Sequence, residues 1–364
     1  MKGQRRSFDT ELEVRPRLWH TTTTKREEYL LWATALASSA LAKLKRSWGK
    51  RSFDRVAEGI LSTAPLCLQG DSPLFLSVVC HRDVAAYLLA IKSLYVGVGH
   101  GRLVVINDGS LISDDLVTLR HHIPDLEVID INAIETGPSC PRAGCWERLV
   151  KIVELSADNY VIQADADILA SSAIPEVIQC WQENRSFLLG TGAGQQISTA
   201  QATARMVQGW IKTHNWNPPS VGVEAEALLD TLPNAAQRSY VHASAGFAGF
   251  ARGAFRMSDL EWFSTYMNEM LGAQRWREWG TEQIASNYIL ANALGTSVLP
   301  FPKYACFEPH LKQGNHALLH FIGSYRYNGG VYRRRAAEFI SCYSAPVTDQ
   351  TGAVGGGVVG LKTR

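Results

Sequence analysis

The chain has 364 residues, of which 46% are apolar and 19% charged, and its formal net charge is +2. This is ordinary globular composition, with enough chain for a large core in two domains or in one large α/β domain with additions. The small net charge gives no reason to expect nucleic acid as a partner, and the seven scattered cysteines form no disulfide or zinc pattern, which favours reduced thiols and a cytoplasmic location.

Residues 1–72 are predicted to form an N-terminal helical extension, with helices over Glu27–Lys45 and Phe53–Leu61. The first residues are polar and charged, so we expect no signal peptide. The apolar stretch Tyr29–Ala42 is too short to span a bilayer. It is followed by basic residues, namely Lys43, Lys45, Arg46, Lys50 and Arg51. Two interpretations stay open: an ordinary packing helix with a solvated basic end, and a surface helix in peripheral contact with the inner face of a membrane.

Short apolar runs alternate with helical patterns from Pro73 onward. The predicted strands of this region are Leu74–Cys80, Arg102–Ile106, Leu126–Asp130 and Tyr160–Asp165. The predicted helices between them are Ala85–Tyr95, Asp114–His122 and Trp146–Ala157. Such alternation predicts an α/β fold with a doubly wound, mainly parallel sheet and helices on both faces. Ligands of such sheets bind at the carboxyl ends of the strands.

The pattern loosens after Asp167. Residues 190–240 are rich in Gly, Gln, Ser, Thr and Ala and are predicted to form an insertion that covers a cleft. A strand of small residues follows at Val241–Phe250, where Gly246 would let a ligand approach closely. The remaining predicted elements are a helix over Trp279–Ala293 with Thr281 as its N-cap, a strand over Leu318–Gly323, and a C-terminal helix and tail within residues 331–364.

The stretch Tyr160–Leu169 carries the strongest chemical signal, because an apolar run leads directly into two carboxylates, Asp165 and Asp167. Carboxylates in apolar surroundings need a partner, and residues two apart in an extended segment point to the same side. Their mutual repulsion asks for a cation, and a hard divalent ion, Mg²⁺ or Mn²⁺, meets that need. We therefore hypothesise a metal site that holds a nucleotide diphosphate at the end of a buried strand, with a solvated turn as the alternative.

Several motifs occur in order along residues 73–330. They are the strand, loop and helix that begin at Leu74, Asn107-Asp108-Gly109-Ser110 after the second strand, Asp165-Ala166-Asp167 after the fourth, Glu282-Gln283 with Asn287, and His320-Phe321-Ile322-Gly323. This set resembles the nucleotide-sugar glycosyltransferases of the glycosyltransferase-A fold, and it is most similar to the group of glycogenin and the bacterial lipopolysaccharide galactosyltransferases. The resemblance implies one glycosyltransferase-A-like domain over residues 73–330.

The resemblance also implies an activity and a cofactor. The enzyme would move a sugar from a nucleotide-diphosphate donor to a hydroxyl of a glycan, a lipid-linked sugar or a protein. The resemblance assigns its Mn²⁺ or Mg²⁺ to Asp165, Asp167 and His320. The alternative for His320 is a satisfied histidine of the core.

Candidates for binding the donor lie at the same predicted sheet edge. Asp108 could accept a hydrogen bond from the base or ribose, or it could simply close an Asp-Gly turn. Asp83, in the loop after the first strand, is another candidate for this pocket. Arg148, on the helix before the fourth strand, could reach the diphosphate or lie on a solvated face. Gly323 suits a close backbone approach, and Arg326 suits a guanidinium contact with phosphate.

Glu282 and Gln283 are the candidates for catalysis. Glu282 could accept hydrogen bonds from sugar hydroxyls or take the acceptor proton as a general base, or it could only favour the helix dipole. Gln283 could contact the anomeric face of the sugar.

Two other functions stay open. An Asn that the family often has near Gly246 is absent, which allows a domain that binds a nucleotide sugar or glycan without turnover. A sugar-phosphate nucleotidylyltransferase is the other alternative, although the loop Cys80–Asp83 lacks the glycines that this class needs to hold a triphosphate.

Overall fold

The computed structural model describes residues 43–312 and 314–344. Residues 43–48 are helical and belong to a unit of their own, and the fold below is that of residues 49–344. The apolar stretch Tyr29–Ala42 and the tail beyond residue 344 lie outside the described residues, so peripheral contact with a membrane stays a prediction. Within the described part of the chain, none of the helices has the length and apolarity needed to cross a bilayer.

The described strands form sheets of seven, three and two strands. In chain order they are β1 (Leu74–Val79), β2 (Arg102–Asn107), β3 (Glu127–Asp130), β4 (Val161–Ala164), β5 (Ile168–Ala170), β6 (Phe187–Gly190), β7 (Ser198–Thr199), β8 (Ser239–Tyr240), β9 (Ala243–Phe250), β10 (Ser297–Val298), β11 (Tyr304–Cys306) and β12 (Leu318–His320). The order across the large sheet is β10-β6-β9-β4-β1-β2-β3, and β9 alone among these strands runs antiparallel to its neighbours. The predicted mainly parallel sheet is confirmed.

Helices cover both faces of the large sheet. In chain order they are α1 (residues 49–57), α2 (Val84–Val98), α3 (Ser113–His122), α4 (Trp146–Leu155), α5 (Pro175–Gln182), α6 (Ala200–His214), α7 (Val221–Ala227), α8 (Met257–Leu271), α9 (Ala273–Trp276), α10 (Thr281–Asn292) and α11 (Val331–Ser344). One buried apolar cluster includes side chains of α2, α5 and α11, and a second includes side chains of α4, α8 and α10. These two clusters pack against opposite faces of the sheet, as the strand and helix alternation predicts.

The three-stranded sheet has the order β11-β12-β5 and lies outside the sequence prediction. Its strand β5 begins directly after Asp167 and runs antiparallel to β12, so that Ile168 pairs with His320. The backbone N–H of Phe321 also donates to the carbonyl of Asp167 at 2.9 Å. This pairing brings His320 to the end of β4 although the two are far apart in sequence.

The segment 190–240 contains the helices α6 and α7 and the small sheet of β7 and β8, in which Ser198 pairs with Tyr240. Thr199 is the N-cap of α6, and its hydroxyl accepts a hydrogen bond from the N–H of Ala202 at 3.1 Å. The prediction that this segment covers a cleft stays a prediction. All seven cysteines of the chain are free thiols.

Candidate active site

Asp165, Asp167 and His320 converge at the carboxyl end of β4. One ligand atom from each lies within 4.8 Å of the other two. His320 Nε2 is 3.1 Å from Asp167 Oδ1 and 3.9 Å from Asp165 Oδ2. Asp167 and His320 are buried, whereas the Asp165 side chain is 29% exposed, so the cluster opens toward solvent on the side of Asp165.

Each carboxylate is also paired with an arginine. Asp165 Oδ1 accepts a hydrogen bond from Arg148 Nη1, and Asp167 Oδ2 accepts one from Arg326 Nη2. The two arginines therefore offset the repulsion between the carboxylates and leave Asp165 Oδ2 and Asp167 Oδ1 directed at His320. The structure thus brings Arg148 and Arg326, which the sequence predicts as donor-binding residues, onto the predicted carboxylate pair and adds a fixed orientation to both carboxylates.

The imidazole of His320 is oriented by strand β9. Ser244 Oγ lies 2.9 Å from His320 Nδ1, which directs Nε2 toward the carboxylates. Gly246 leaves room for the ring, because a Cβ at this position would overlap it. The space that the sequence suggested for a ligand beside Gly246 is filled by His320. Ser244 was not predicted, and its only sequence signal is a small polar residue in a strand of alanines and glycines.

Contact with Asp167 controls the charge of His320. Burial opposes protonation, but the neighbouring carboxylate outweighs it and raises the pKa of His320 to about 10. The same pair lowers the pKa of Asp167 although burial acts in the opposite direction. A metal ion binds the neutral imidazole, so a divalent cation at this position would replace the proton that is present here.

Arg148 and Glu282 extend the cluster into the protein. Glu282 lies in the first turn of α10, and its Oε1 accepts a hydrogen bond from Arg148 Nη2 at 3.3 Å. Both side chains are buried. Burial raises the pKa of Glu282 to about 7 and is only partly offset by Arg148. The structure therefore places Arg148 between Asp165 and Glu282, and its predicted contact with a diphosphate stays a prediction.

The start of α10 differs from the prediction. Gly280, with φ of 98°, is the N-cap, and Thr281 is the first helical residue. The hydroxyl of Thr281 instead accepts a hydrogen bond from Trp146 Nε1 at 2.9 Å, which ties α10 to α4. Gln283 is half-buried, and its Oε1 accepts from the N–H of Ala245 at 3.4 Å, next to Ser244.

The other predicted donor-binding residues follow β1, β2 and β12. Asp83 and Arg326 line one cavity of 180 Å³ together with Tyr327 and Tyr332. Asp108 is exposed at the end of β2, where its Oδ1 accepts hydrogen bonds from Ser110 N at 2.9 Å and Ser110 Oγ at 2.5 Å. Gly323, with φ of 46°, begins the short 3₁₀ turn Gly323–Tyr325 that leads to Arg326.

No protein-family model matches the sequence, and no curated protein matches it. The structure is similar to that of mouse xyloside xylosyltransferase 1 in its apo form, with a TM-score of 0.40, 12% identity, and coverage of 69% of this chain and 97% of that one. It is similar to the galactosyltransferase LgtC in complex with donor and acceptor sugar analogs, with a TM-score of 0.41, 11% identity, and coverage of 74% and 95%.

A third similar structure is core-mannan synthase A from Aspergillus fumigatus in its Mn/GDP form. The TM-score is 0.34 and the identity 8%, with coverage of 64% of this chain and 75% of that one. All three TM-scores lie below 0.5, so the function proposed below depends on the geometry of the site.

Proposed function

We propose that this protein is a metal-dependent glycosyltransferase, which moves a sugar from a nucleotide-diphosphate donor to a hydroxyl of a glycan, a lipid-linked sugar or a protein. The observation that supports this function is the cluster of Asp165, Asp167 and His320, whose ligand atoms lie within 4.8 Å of one another. Two carboxylates and an imidazole form a ligand set that suits Mn²⁺, and Mg²⁺ with added water. The cluster lies at the carboxyl end of β4, where open α/β sheets bind their ligands.

The residues around the cluster fit a resident divalent cation. Arg148 and Arg326 each hold one oxygen of a carboxylate, and Ser244 holds the far nitrogen of the imidazole, so three ligand atoms face a common point. When bound, the cation would offset the negative charge that develops on the leaving diphosphate. Arg326 is 28% exposed and lines the adjacent cavity, so we propose that it also contacts a donor phosphate.

We propose roles in sugar transfer for Gln283 and Glu282 as well. Gln283 is half-buried beside Ala245, on the strand that carries Ser244. Glu282 is buried and reaches Asp165 through Arg148. Asp83, Asp108 and Gly323 complete the proposed donor site from the ends of β1, β2 and β12.

Ligand-linked thermal stability tests the donor and the metal together. The full chain is incubated with UDP-glucose, UDP-galactose, GDP-mannose, UDP or GDP, each with Mn²⁺, with Mg²⁺ or with EDTA. We expect one nucleotide series to raise the Tm only when a divalent cation is present, because a ligand at 100 times its Kd adds about 2.7 kcal/mol to the free energy of unfolding. Release of nucleotide diphosphate in the same mixtures then measures turnover.

Substitution of Asp167 tests the ligand assignment. We expect Asp167→Asn, which keeps the shape of the side chain, to lose metal-dependent stabilisation and to lower turnover by about 100-fold or more, since an oxygen ligand loses its charge. Asp130→Asn is the matched control, because Asp130 also ends a strand of the parallel sheet but is exposed at the end of β3. Wild-type, metal-dependent turnover in Asp167→Asn would contradict the proposal.

One observation favours a second candidate, a domain that binds a nucleotide sugar without turnover. Both carboxylates already have an arginine partner, which offsets part of their negative charge without a metal ion. Calorimetry distinguishes the two functions. Donor binding that is unchanged by EDTA, with no product from any acceptor, would favour the binding domain.

A further inference from the structure

Glu226 and His242 form a second pair of titratable residues, outside the cluster of Asp165, Asp167 and His320. Glu226 lies on α7 and is buried. Its Oε1 accepts a hydrogen bond from the hydroxyl of Tyr240 at 2.8 Å and lies 2.6 Å from His242 Nδ1. A buried carboxylate is costly unless it is paired, and the hydrogen-bond partners of Glu226 are the Tyr240 hydroxyl and this imidazole.

The contact with Glu226 also fixes the orientation of the imidazole. Because Nδ1 faces Glu226, the opposite nitrogen, Nε2, lies on the outer side of the ring, and it has no hydrogen-bond partner among the described residues. The side chain of His242 is 36% exposed, so the ring is accessible to a ligand. The hydrogen bond that the ring donates to Glu226 raises the pKa of His242 despite burial.

The position of His242 relates the pair to the metal cluster. His242 directly precedes β9, and Ser244, two residues further on, contacts His320. Two residues of extended chain span about 7 Å, so the backbone of His242 lies about 7 Å from that of Ser244, a distance that one sugar ring can span. The carbonyl of His242 also accepts a hydrogen bond from Thr191 Oγ1 at 3.4 Å, just beyond the end of β6.

We propose that His242 binds the acceptor sugar through a hydrogen bond between its Nε2 and a hydroxyl of that sugar, and that Glu226 is a positioning residue that holds the ring. Acceptor binding at this position rests on the proposed function. It gives the segment 190–240, which contributes Glu226, a direct part in acceptor recognition. It also places the acceptor at the start of strand β9, before Ser244, whereas Gly246 follows Ser244 in the sequence.

The test compares two reactions of one donor. Hydrolysis uses water in place of the acceptor, and transfer uses added glucose, galactose or lactose as probes. We expect His242→Ala to lower transfer at subsaturating sugar by about 3- to 10-fold, the loss expected for one hydrogen bond, with little change in hydrolysis. His242→Gln keeps an N–H donor and should retain more transfer than His242→Ala. Glu226→Gln should raise the KM for the sugar and leave metal-dependent nucleotide binding unchanged.

His214→Ala is the matched control. His214 is an exposed histidine at the end of α6, and its Nδ1 contacts the carbonyl of Trp210 at 2.9 Å. It should leave both reactions unchanged.

Two results would overturn the acceptor role of His242. One is unchanged transfer in His242→Ala, and the other is an equal loss of hydrolysis, transfer and nucleotide binding. A wild-type protein that hydrolyses the donor with metal but glycosylates none of the sugars also counts against it, and the donor site then stands. Absence of metal-dependent nucleotide binding in the wild-type protein would refute the proposed function itself, and the acceptor role with it.

Discussion

Gly246 makes room for the imidazole ring of His320 because it has no side chain. The ring of His320 lies where a Cβ of residue 246 would be, and the ring is held on both sides by Ser244 and Asp167. It therefore has little freedom to move aside. The glycine belongs to the ligand geometry of the cluster even though it offers no ligand atom.

We predict that Gly246→Ala weakens Mn²⁺ binding by about 10-fold or more, because the displaced imidazole no longer aligns with the two carboxylates. Isothermal titration calorimetry measures the affinity, and urea unfolding measures the accompanying loss of stability, about 1–3 kcal/mol for an overpacked site.

Gly249→Ala is the control for Gly246→Ala. It lies on the same strand, and its Cβ would overlap the ring of Phe187 in the core. It should lower stability without changing the Mn²⁺ affinity. Equal Mn²⁺ affinity in Gly246→Ala and wild type would contradict the role of His320 as a ligand.

Part of the site can be predicted from single residues. Asp165 and Asp167 follow a buried apolar run, which is a local signal, and His320 came only from the resemblance to a family. The pairing of Arg148 with Asp165 has no local signal, because the arginine lies 17 positions earlier and the sequence slightly favours a solvated face for it. Such contacts depend on how helices pack against the sheet, which side-chain periodicity does not specify.

Helices α4 and α10 are joined behind the cluster by two side-chain contacts. Arg148 of α4 contacts Glu282 of α10, and Trp146, two residues before Arg148, contacts Thr281. Arg148 also holds Asp165, so the same residue connects both helices to the end of β4. When a cation that is buried between two carboxylates is removed, the carboxylates lose their partner, and this loss destabilises the protein.

We predict that Arg148→Met lowers the free energy of unfolding by about 3 kcal/mol, because the carboxyl groups of Glu282 and Asp165 lose the guanidinium that they share. The double variant Arg148→Met/Glu282→Gln should recover about 1–2 kcal/mol of this loss, since the remaining amide carries no charge. Urea unfolding at neutral pH measures all three proteins.

Lys151→Met is the control on the same helix. Its ion pair with Glu154 at 2.9 Å lies near the surface, so the change should stay within about 0.5 kcal/mol. A double variant that is less stable than Arg148→Met would show that Glu282 is not the source of the penalty.

The three-stranded sheet β11-β12-β5 could not be predicted, because its strands are short. Strand β12 lies within the predicted strand Leu318–Gly323, but β5 has three residues, which are too few to show a recognisable alternation. Their pairing depends on contacts between distant parts of the chain. The sequence therefore predicted the ligands of the cluster but not the small sheet that brings His320 to Asp167.

The fold of the whole molecule was the most predictable level. The first four predicted strands match the observed ones within one residue at either end, because buried parallel strands are continuous apolar runs. Within the large sheet the single antiparallel strand is β9, a strand of small residues whose sequence does not indicate its direction. Strand order likewise results from tertiary packing, which local patterns do not encode.

A group of buried polar residues lies beside the apolar cluster that includes side chains of α2, α5 and α11. Lys92 of α2 is fully buried, and its Nζ donates hydrogen bonds to Thr63 Oγ1 at 2.8 Å and to the carbonyl of Ala64 at 2.7 Å. Its third partner is Nδ1 of His122, at the end of α3, at 3.0 Å. His122 must be neutral to accept this bond, so its protonation state is linked to the stability of the whole fold.

We predict that the free energy of unfolding decreases on acidification and that protonation of His122 in the unfolded chain causes part of the decrease. Burial, followed by the positive charge of Lys92, lowers the pKa of His122 to about 4, whereas the unfolded chain has the ordinary value of about 6.5. Between these values the unfolded state binds a proton that the native state does not, so stability decreases as the pH falls from 6.5 to 4. His122→Gln keeps an acceptor for Lys92 but cannot bind the proton. Between pH 7 and pH 4.5, wild type should lose about 2 kcal/mol more than His122→Gln in urea unfolding, and equal losses would show that His122 is protonated in the native state.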